Sequence, residues 1–257
     1  MIKLYTETCG NPSKPDLVLL HGWGMNASVW QTVLPLLEDH FRLTLIDLPG
    51  LGQSSALEPE FTFDAAVDAL LDVAPERAHW LGWSLGGQLA VAAAAKAPTR
   101  ISALITVASN PCFVARNDWP SAMATDTYNG FKDALNDNPA KTLTRFIMLQ
   151  TQGAEAGRDT LKLLKQLVKD DAPAALAPAL TLLETDARAS LIDVKQPVLM
   201  QFGDKDLLVP VAAAEACGQL NSGAQTTVYK GAGHLPFISH STQWSDEVIT
   251  FLASVSE

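Results

Sequence analysis

A serine stands between two glycines in the segment Gly82-Trp83-Ser84-Leu85-Gly86. The apolar run 78–81 before it predicts a strand, and the alanine-rich run 85–97 after it predicts a helix. Glycines allow a tight strand-to-helix bend in which larger side chains would collide with the neighbouring strand and helix. In such a nucleophile elbow the bend exposes the serine oxygen. The segment therefore predicts nucleophilic attack by Ser84, although the spacing alone also fits an ordinary glycine turn.

A serine nucleophile needs a base that is itself oriented by a third group. An acid and a histidine follow Ser84 in that order, each just after a predicted strand. Asp204 and Asp206 come after the run 198–202, and His234 comes after the run 226–229. Ligand sites of open parallel sheets form at these carboxyl ends of the strands. Either aspartate could orient the histidine, and stabilisation of the turn is the alternative role for Asp204.

The other four histidines of the chain fit structural roles. We expect His21 to brace a glycine-rich loop, His40 to be solvated at a helix end, His79 to pack within a strand, and His240 to start a helix. His234 is therefore the predicted base.

Acyl transfer places negative charge on a carbonyl oxygen, which preorganised backbone N–H groups can stabilise. One expected donor is the N–H of Leu85, the residue after the nucleophile. The other is the N–H of Trp23, in the loop His21-Gly22-Trp23-Gly24 that follows the apolar run 16–20. A core position for the Trp23 ring would not exclude this role for its N–H.

The elements that must position these residues follow from the hydrophobic pattern. Strands are predicted at 16–20, 41–47, 78–81, 101–108, 198–202 and 226–229, and helices at 28–37, 63–73, 85–97 and 244–252. Strands that alternate with helices predict an α/β fold with a mostly parallel sheet covered on both faces. Residues 111–188 show helical patterns and no convincing strand. We therefore expect residues 1–110 and 189–257 to form the core of one catalytic domain, with 111–188 inserted as a helical lid.

Composition limits the classes of function. The 257 residues are 47% hydrophobic and 18% charged, which is typical of a soluble domain with a substantial core. The sequence has no apolar run of about 18 residues and no signal-peptide pattern at its start, so a cytoplasmic location without a membrane partner is expected. Three widely spaced cysteines suggest neither a disulfide framework nor a zinc site, and we expect no metal or cofactor. The net charge of −10 argues against nucleic-acid binding.

Several motifs together resemble the α/β-hydrolase family. They are LLHGWG (19–24), DLPGLGQS (47–54), LGWSLGG (81–87), GDKDLLVP (203–210) and GAGHLPF (231–237). Within that family the chain is similar to the pimeloyl-acyl-carrier-protein methyl ester esterases of biotin biosynthesis, through VASNPCFVARNDWP (107–120), RFIMLQT (145–151) and HLPFISH (234–240). The resemblance covers most of the chain and is least between about 165 and 190. It implies hydrolysis of the methyl ester of pimeloyl-acyl-carrier protein, and of short-chain esters as well.

The resemblance also implies roles for particular residues. The family's G-x-x-D pattern favours Asp206 over Asp204 as the triad acid. The substrate-contacting residues that it implies are Trp23, Ser84, Leu85, Phe146, Ile147, Met148, Leu149, Gln150 and His234. The alternative for 146–150 is an amphipathic lid helix that packs on itself. A monomer is expected.

A basic island interrupts the acidic chain. Residues 141–169 contain six basic and two acidic side chains, a net charge of +4. The rest of the chain therefore carries −14, which gives the total of −10. Four of its members, Lys141, Arg145, Arg158 and Lys162, match positions where the family presents arginines to acyl carrier protein, which is acidic. Two are lysines, which keep the charge but lose the bidentate fork of arginine. With Lys165 and Lys169 they could equally form an ordinary solvated helix face.

Two other functions remain as alternatives. A lyase of menaquinone synthesis resembles this fold but uses the triad to abstract a proton, and it would release pyruvate instead of methanol. A ligand-binding receptor on a hydrolase scaffold would show slow or no turnover, which the intact triad disfavours. Haloalkane dehalogenation is disfavoured because its nucleophile at this elbow is an aspartate.

Overall fold

The computed structural model describes residues 3–55, 61–167 and 175–255. These residues form a seven-stranded sheet with the order β1-β3-β2-β4-β5-β6-β7. Neighbouring strands are parallel except β1 and β3, which pair antiparallel. The strands are β1 (Thr6–Gly10), β2 (Asp16–Leu20), β3 (Arg42–Ile46), β4 (Ala78–Trp83), β5 (Ile101–Val107), β6 (Val198–Gly203) and β7 (Gln225–Tyr229). The predicted α/β fold with a mostly parallel sheet is confirmed.

Helices flank the sheet and make up most of the described part of the segment between β5 and β6. They are α1 (Leu34–Leu37), α2 (Phe63–Val73), α3 (Leu85–Lys96), α4 (Thr125–Asp137), α5 (Pro139–Leu149), α6 (Gly157–Leu167), α7 (Leu176–Thr181), α8 (Arg188–Asp193), α9 (Ala212–Leu220), α10 (Pro236–Ser239) and α11 (Ser241–Ser254), with 3₁₀ helices at Ala27–Thr32 and Leu182–Glu184. Within the described ranges, no helix combines the length and the apolar character that crossing a bilayer would require.

The central strands are the best buried elements. Every residue of β4 and of β6 is buried, because parallel strands of an α/β sheet carry helices on both faces. Their sequences are accordingly mostly apolar, with His79 in β4 and Gln201 in β6 as the polar exceptions, which is why the sequence predicted them. By contrast β1 is exposed at four of its five positions and lies at the sheet edge, so its sequence TETCG has no apolar periodicity to detect.

The expected helix at 28–37 is wrong in detail. The segment forms the 3₁₀ helix Ala27–Thr32 followed by the short α1, whose first turn contains Pro35. Proline has no N–H to donate and its ring clashes with the preceding turn, so it is accepted at the start of a helix and not in its interior. The chain therefore begins a new helix near Pro35 instead of continuing one.

The segment between β5 and β6 adds no strand to the sheet among the described residues. Its extended parts form isolated bridges only, between Val114 and Met123 and between Arg116 and Trp119. Since β5 and β6 are neighbours in the sheet, the chain leaves and re-enters the core at adjacent positions. We call the segment 111–188 the lid. We call the two places where the chain leaves the core after β5 and returns to it before β6 the lid crossings.

Candidate active site

The nucleophile elbow is formed by the junction of β4 and α3. Ser84 lies between them with φ 55° and ψ −121°, a conformation that non-glycine residues seldom adopt. A Cβ on Gly86 would lie 2.5 Å from the carbonyl oxygens of Leu20 and His21, and one on Gly82 would collide with the backbone of Gly86. The glycines are therefore required for close packing of the strand on the helix, as the sequence suggested. Strain held at a single serine is typical of a functional position.

His234 and Asp206 form a buried pair after β7 and β6. The Nδ1 atom of His234 lies 2.7 Å from Oδ2 of Asp206. The other carboxylate oxygen of Asp206 accepts the backbone N–H groups of Leu208 and Val209, at 2.8 and 3.0 Å. A carboxylate can only accept here, so Nδ1 carries the hydrogen and Nε2 presents its lone pair. Nε2 is buried and has no hydrogen-bond partner among the described residues.

Asp204 has a different task. Its Oδ1 accepts the N–H of Gly231 at 2.6 Å, and its Oδ2 lies 3.4 Å from Nζ of Lys205. The side chain therefore ties the turn after β6 to the loop that leads to His234. These contacts fit the turn-stabilising role that was the alternative for Asp204.

Three contacts, made by Gln150 and Trp83, hold His234 beside the elbow. Its backbone N–H donates to the carbonyl of Gln150 at 3.0 Å, and its own carbonyl accepts Nε1–H of Trp83 at 2.8 Å. The Trp83 ring centroid lies 5.5 Å from that of His234. Ser84 Oγ does not hydrogen-bond to His234 Nε2 in this structure. Such bonds are often long before substrate binds and tighten in the complex.

The remaining histidines occupy structural positions, as expected. His21 donates from Nδ1 to Gly22 O at 2.8 Å and accepts the N–H of Leu48 at Nε2, at 2.9 Å, so it braces the loop. Burial lowers the pKa of His21, although the charge of Asp47 opposes the shift. Burial also lowers the pKa of His79, which lies within β4. His40 is exposed, and His240 directly precedes α11.

Two backbone N–H groups near the elbow have no protein acceptor among the described residues. One belongs to Leu85, the first residue of α3, and the other to Trp23. A Cβ on Gly22 would lie 3.1 Å from Ser84 Cβ, which places the loop of Trp23 against the serine. First-turn N–H groups have no partner within their helix and lie at the positive end of its dipole. This arrangement suits a site for a developing oxyanion.

Aromatic side chains from the core loop and the lid meet next to this loop. The Trp23 ring lies 4.8 Å from Phe146 and 5.4 Å from Phe131, measured between centroids. The indole Nε1–H of Trp23 donates to Leu176 O at 2.9 Å. Phe131 was not among the residues predicted from the sequence, although α4 places it one helical turn after the buried Tyr128, where periodicity predicts an inward position.

The predicted substrate segment divides between two faces of the lid. Phe146 and Ile147 are buried, Leu149 is partly buried, and Gln150 is 1% exposed with neither amide atom partnered by a described group. Met148 is 50% exposed and, two residues after Phe146, lies on the far side of α5 from it. The structure therefore brings Phe146 to Trp23 and Gln150 to His234, but it does not bring Met148 to them. A substrate contact by the Met148 side chain stays a prediction.

The basic residues of the lid lie on its outer surface. Lys141 and Arg145 are exposed on α5, and Arg158 and Lys162 are exposed on α6. None of the four forms a salt bridge with an acidic side chain in the described ranges. Lys169 and Val168 of the predicted stripe lie outside the described residues. These four side chains are exposed to solvent, whereas Ser84 is buried.

The parts of the chain that the structure describes hold no group of three or more histidine, cysteine, aspartate or glutamate side chains that could bind a metal ion. The site presents a serine oxygen in a strained bend, a histidine hydrogen-bonded to a carboxylate, and the backbone N–H groups of Leu85 and Trp23.

Comparisons with known proteins agree with this geometry. Residues 15–241 match the family model described as alpha/beta hydrolase fold. The chain is 43% identical to pimeloyl-[acyl-carrier protein] methyl ester esterase of Pectobacterium atrosepticum, over 98% of this chain and 99% of that protein. It is 44% identical to the protein of the same name from Edwardsiella ictaluri, over 93% of each chain.

Solved structures share the fold at lower sequence identity. An esterase from Exiguobacterium antarcticum superposes with a TM-score of 0.86 at 21% identity, covering 100% of this chain and 96% of that one. A bromoperoxidase from Bacillus anthracis superposes with a TM-score of 0.85 at 21% identity, covering 98% and 96%. These likenesses show the fold alone, since different chemistries occur on it. The matched family model and the full-length relatives establish that the chain belongs to the alpha/beta hydrolase family.

Proposed function

We propose that this chain is a serine esterase that hydrolyses the methyl ester of pimeloyl-acyl-carrier protein and releases methanol, as a step of biotin synthesis. Relatives of that name match nearly the whole chain at 43–44% identity. The single structural observation that carries the proposal is the buried His234–Asp206 pair, 2.7 Å apart, beside a serine in an elbow. Short-chain esters are expected to be cleaved as well, because the reacting atoms would be the same.

The geometry supports a two-step acyl transfer. Ser84 Oγ attacks the ester carbonyl while His234 Nε2, which bears the lone pair, takes its proton. The oxyanion that forms is stabilised by the N–H groups of Leu85 and Trp23. His234 then returns the proton to the departing methanol. Water hydrolyses the acyl-enzyme by the same route, and Asp206 orients the imidazolium throughout.

The walls of the site suit a chain that is apolar along most of its length. Trp23, Phe131 and Phe146 form a contiguous aromatic surface next to the serine loop. Gln150 adds a buried amide whose donor and acceptor are both free of protein partners among the described residues. An unpaired buried amide is unfavourable in the fold by itself. We propose that it meets a polar group of the substrate.

The carrier protein is proposed to dock on the outer surface of the lid. Lys141 and Arg145 on α5, with Arg158 and Lys162 on α6, offer four exposed cations without carboxylate partners in the described part of the chain. A positive lid on a chain of net charge −10 would steer an acidic carrier towards this face. We also propose that the protein acts as a monomer in the cytoplasm, where its free cysteines would remain reduced.

Charge reversal tests the docking surface. We expect Arg145→Glu with Arg158→Glu to lower kcat/KM on the carrier-bound ester by at least about tenfold, or about 1.4 kcal/mol. Hydrolysis of p-nitrophenyl acetate should barely change, and added salt should weaken only the carrier reaction. The matched control is Lys14→Glu with Arg77→Glu, which makes the same change in net charge just before β2 and β4, at the amino ends of the strands. Equal losses on both substrates would overturn the docking proposal.

The reaction itself is tested by product analysis. Purified protein is incubated with synthetic pimeloyl-acyl-carrier protein methyl ester, and methanol and the free acid are measured, with Ser84→Ala as the inactive control. Loss of pyruvate from a menaquinone-pathway substrate, without methanol release from the ester, would favour the lyase. Binding of the ester without turnover would favour the receptor. Restored growth of a biotin auxotroph that lacks the esterase supplies an independent readout.

A further inference from the structure

Gln88 bonds both lid crossings at once. It lies on α3 one helical turn after Ser84, and its side chain is fully buried. Its Nε2 donates to the carbonyl oxygen of Pro111 at 3.2 Å and to that of Thr185 at 2.8 Å. Pro111 follows β5, where the chain leaves the sheet for the lid, and Thr185 precedes α8, where the chain returns. A single amide therefore holds two segments that are far apart in sequence.

The chemistry of the amide explains why the residue is a glutamine. Its two neighbours are both carbonyl oxygens, so only the NH₂ end of the side chain can face them. Its Oε1 is buried without a partner among the described residues, which is unfavourable for folding. An apolar side chain would avoid that cost, but it would leave the Thr185 carbonyl without this donor. The two bonds to the crossings are thus the feature that an apolar residue could not reproduce.

Two further hydrogen bonds extend the connection. Ala187 N–H donates to the same Pro111 carbonyl at 2.8 Å, which ties the returning chain to the departing one. Ser109 Oγ, just before the departure point, donates to the carbonyl oxygen of Ser84 at 2.8 Å. The strained residue of the elbow, the helix that follows it and both lid crossings therefore form one bonded unit.

We infer that Gln88 is a positioning residue that clamps both lid crossings to the elbow helix. The segment between the two crossings carries Phe146, whose ring packs on Trp23, and Gln150, whose carbonyl accepts the N–H of His234. By fixing both ends of that segment, the clamp helps to set where these residues stand relative to Ser84. The effect on turnover rests on the proposed function. The clamp itself does not, and it can be measured without substrate.

The chain contains a matched control for this residue. Gln196 also donates from Nε2 to two backbone carbonyls, Ala94 O at 2.9 Å and Pro98 O at 3.2 Å. These carbonyls lie at the far end of α3 and its following turn, away from the lid. Methionine has a similar length and no N–H, so Gln88→Met and Gln196→Met remove the same two kinds of bond at opposite ends of one helix.

Hydrogen exchange of the Ala187 amide measures the clamp directly. We expect Gln88→Met to speed this exchange by at least about tenfold, because local opening of the crossing becomes easier. Gln196→Met should leave it unchanged. We expect Gln88→Met also to lower kcat/KM on the carrier-bound ester by at least about tenfold, 1.4 kcal/mol, and to affect p-nitrophenyl acetate less. Unchanged Ala187 exchange in Gln88→Met, or an equal rise in both variants, would overturn the inference.

The unaltered protein provides a second measurement if a variant does not fold. With a clamp, the Ala187 amide should exchange with the same denaturant dependence as amides in the middle of α3, since the crossing opens with the helix. Exchange of Ala187 at far lower denaturant than α3 would contradict the inference. If the unaltered protein does not hydrolyse the carrier-bound ester, the proposed function fails, and the exchange results still decide whether Gln88 is a clamp.

Discussion

Replacing Asp206 with asparagine would change which nitrogen of His234 carries the proton. One oxygen of Asp206 accepts the N–H groups of Leu208 and Val209, at 2.8 and 3.0 Å. In the variant the side-chain amide oxygen must face the same two N–H groups, because an NH₂ group in that position could accept a hydrogen bond from neither. The amide NH₂ would then face Nδ1 of His234, which would have to accept. The proton would move to Nε2, and Nε2 could no longer take a proton from Ser84.

The size of the loss follows from this tautomer change. A triad whose acid is replaced by its amide, with the geometry kept, loses about 10⁴-fold in kcat. At 1.36 kcal/mol for each factor of ten, this is about 5.4 kcal/mol of transition-state stabilisation. Asp204→Asn is the matched control, two residues away in the same turn. Its Oδ1 accepts one N–H, from Gly231, and an amide oxygen can accept the same bond, so we expect a change of less than about tenfold.

The assay is turnover of p-nitrophenyl acetate, with circular dichroism to check that each variant is folded. Methanol release from the carrier-bound ester should follow the same order. A larger loss in Asp204→Asn than in Asp206→Asn would refute the assignment of the acid. Full activity of a folded Asp206→Asn would refute the tautomer argument itself.

Three further predictions concern stability and substrate contact. Gly82→Ala should lower the free energy of unfolding, measured by urea unfolding, by more than about 2 kcal/mol, since the added Cβ would meet the backbone of Gly86. Gly130→Ala is the control and should be neutral or stabilising, because no described neighbouring atom lies within 4 Å of its added Cβ. Gln150→Leu removes a buried amide that has no described partner, so it should raise the free energy of unfolding by up to about 1 kcal/mol. It should also reduce kcat/KM on the carrier-bound ester by about tenfold. A loss of stability with unchanged kcat/KM would contradict the substrate role of Gln150. Burial lowers the pKa of His21, so below about pH 6.5 the unfolded chain binds a proton that the folded chain does not, and the free energy of unfolding falls as the pH drops. His21→Gln should make that fall shallower in urea titrations at pH 5 to 7. An unchanged slope would contradict this.

Much of the fold could be predicted because the buried strands have local signatures. The runs that became β2, β4, β5 and β6 are mostly apolar, with one or two polar residues each, and each is followed by turn residues. The elbow was predictable for the same reason, since its glycine spacing, strand and helix all lie within 20 consecutive residues. Asp206 and His234 could be found from their order and their positions at strand ends. Resemblance was needed to choose between Asp206 and Asp204, whose different hydrogen bonds depend on tertiary contacts.

The remaining features could not be predicted because they depend on which segments meet. Gln88 looks like an ordinary polar residue of an alanine-rich helix, and its role appears only when both lid crossings pass over it. The exposure of the Met148 side chain was not predicted, because the family resemblance implied substrate contact for all of the segment 146–150. Helical periodicity separates its members, and spacings of three and seven residues place Met148 on the exposed face with Arg145 and Lys141.

The order of the strands along the chain determines when the active site can form during synthesis. β1 to β5 and the elbow precede the lid in the chain, whereas β6 and β7, with Asp206 and His234 behind them, follow it. A nascent chain that has emerged only as far as the lid therefore contains Ser84 and neither of its partners. Since β6 must dock on β5 before the pair can form, reaction of Ser84 with a fluorophosphonate reports completion of the sheet. Stalled ribosomal chains of increasing length should acquire this reactivity only after His234 has left the exit tunnel.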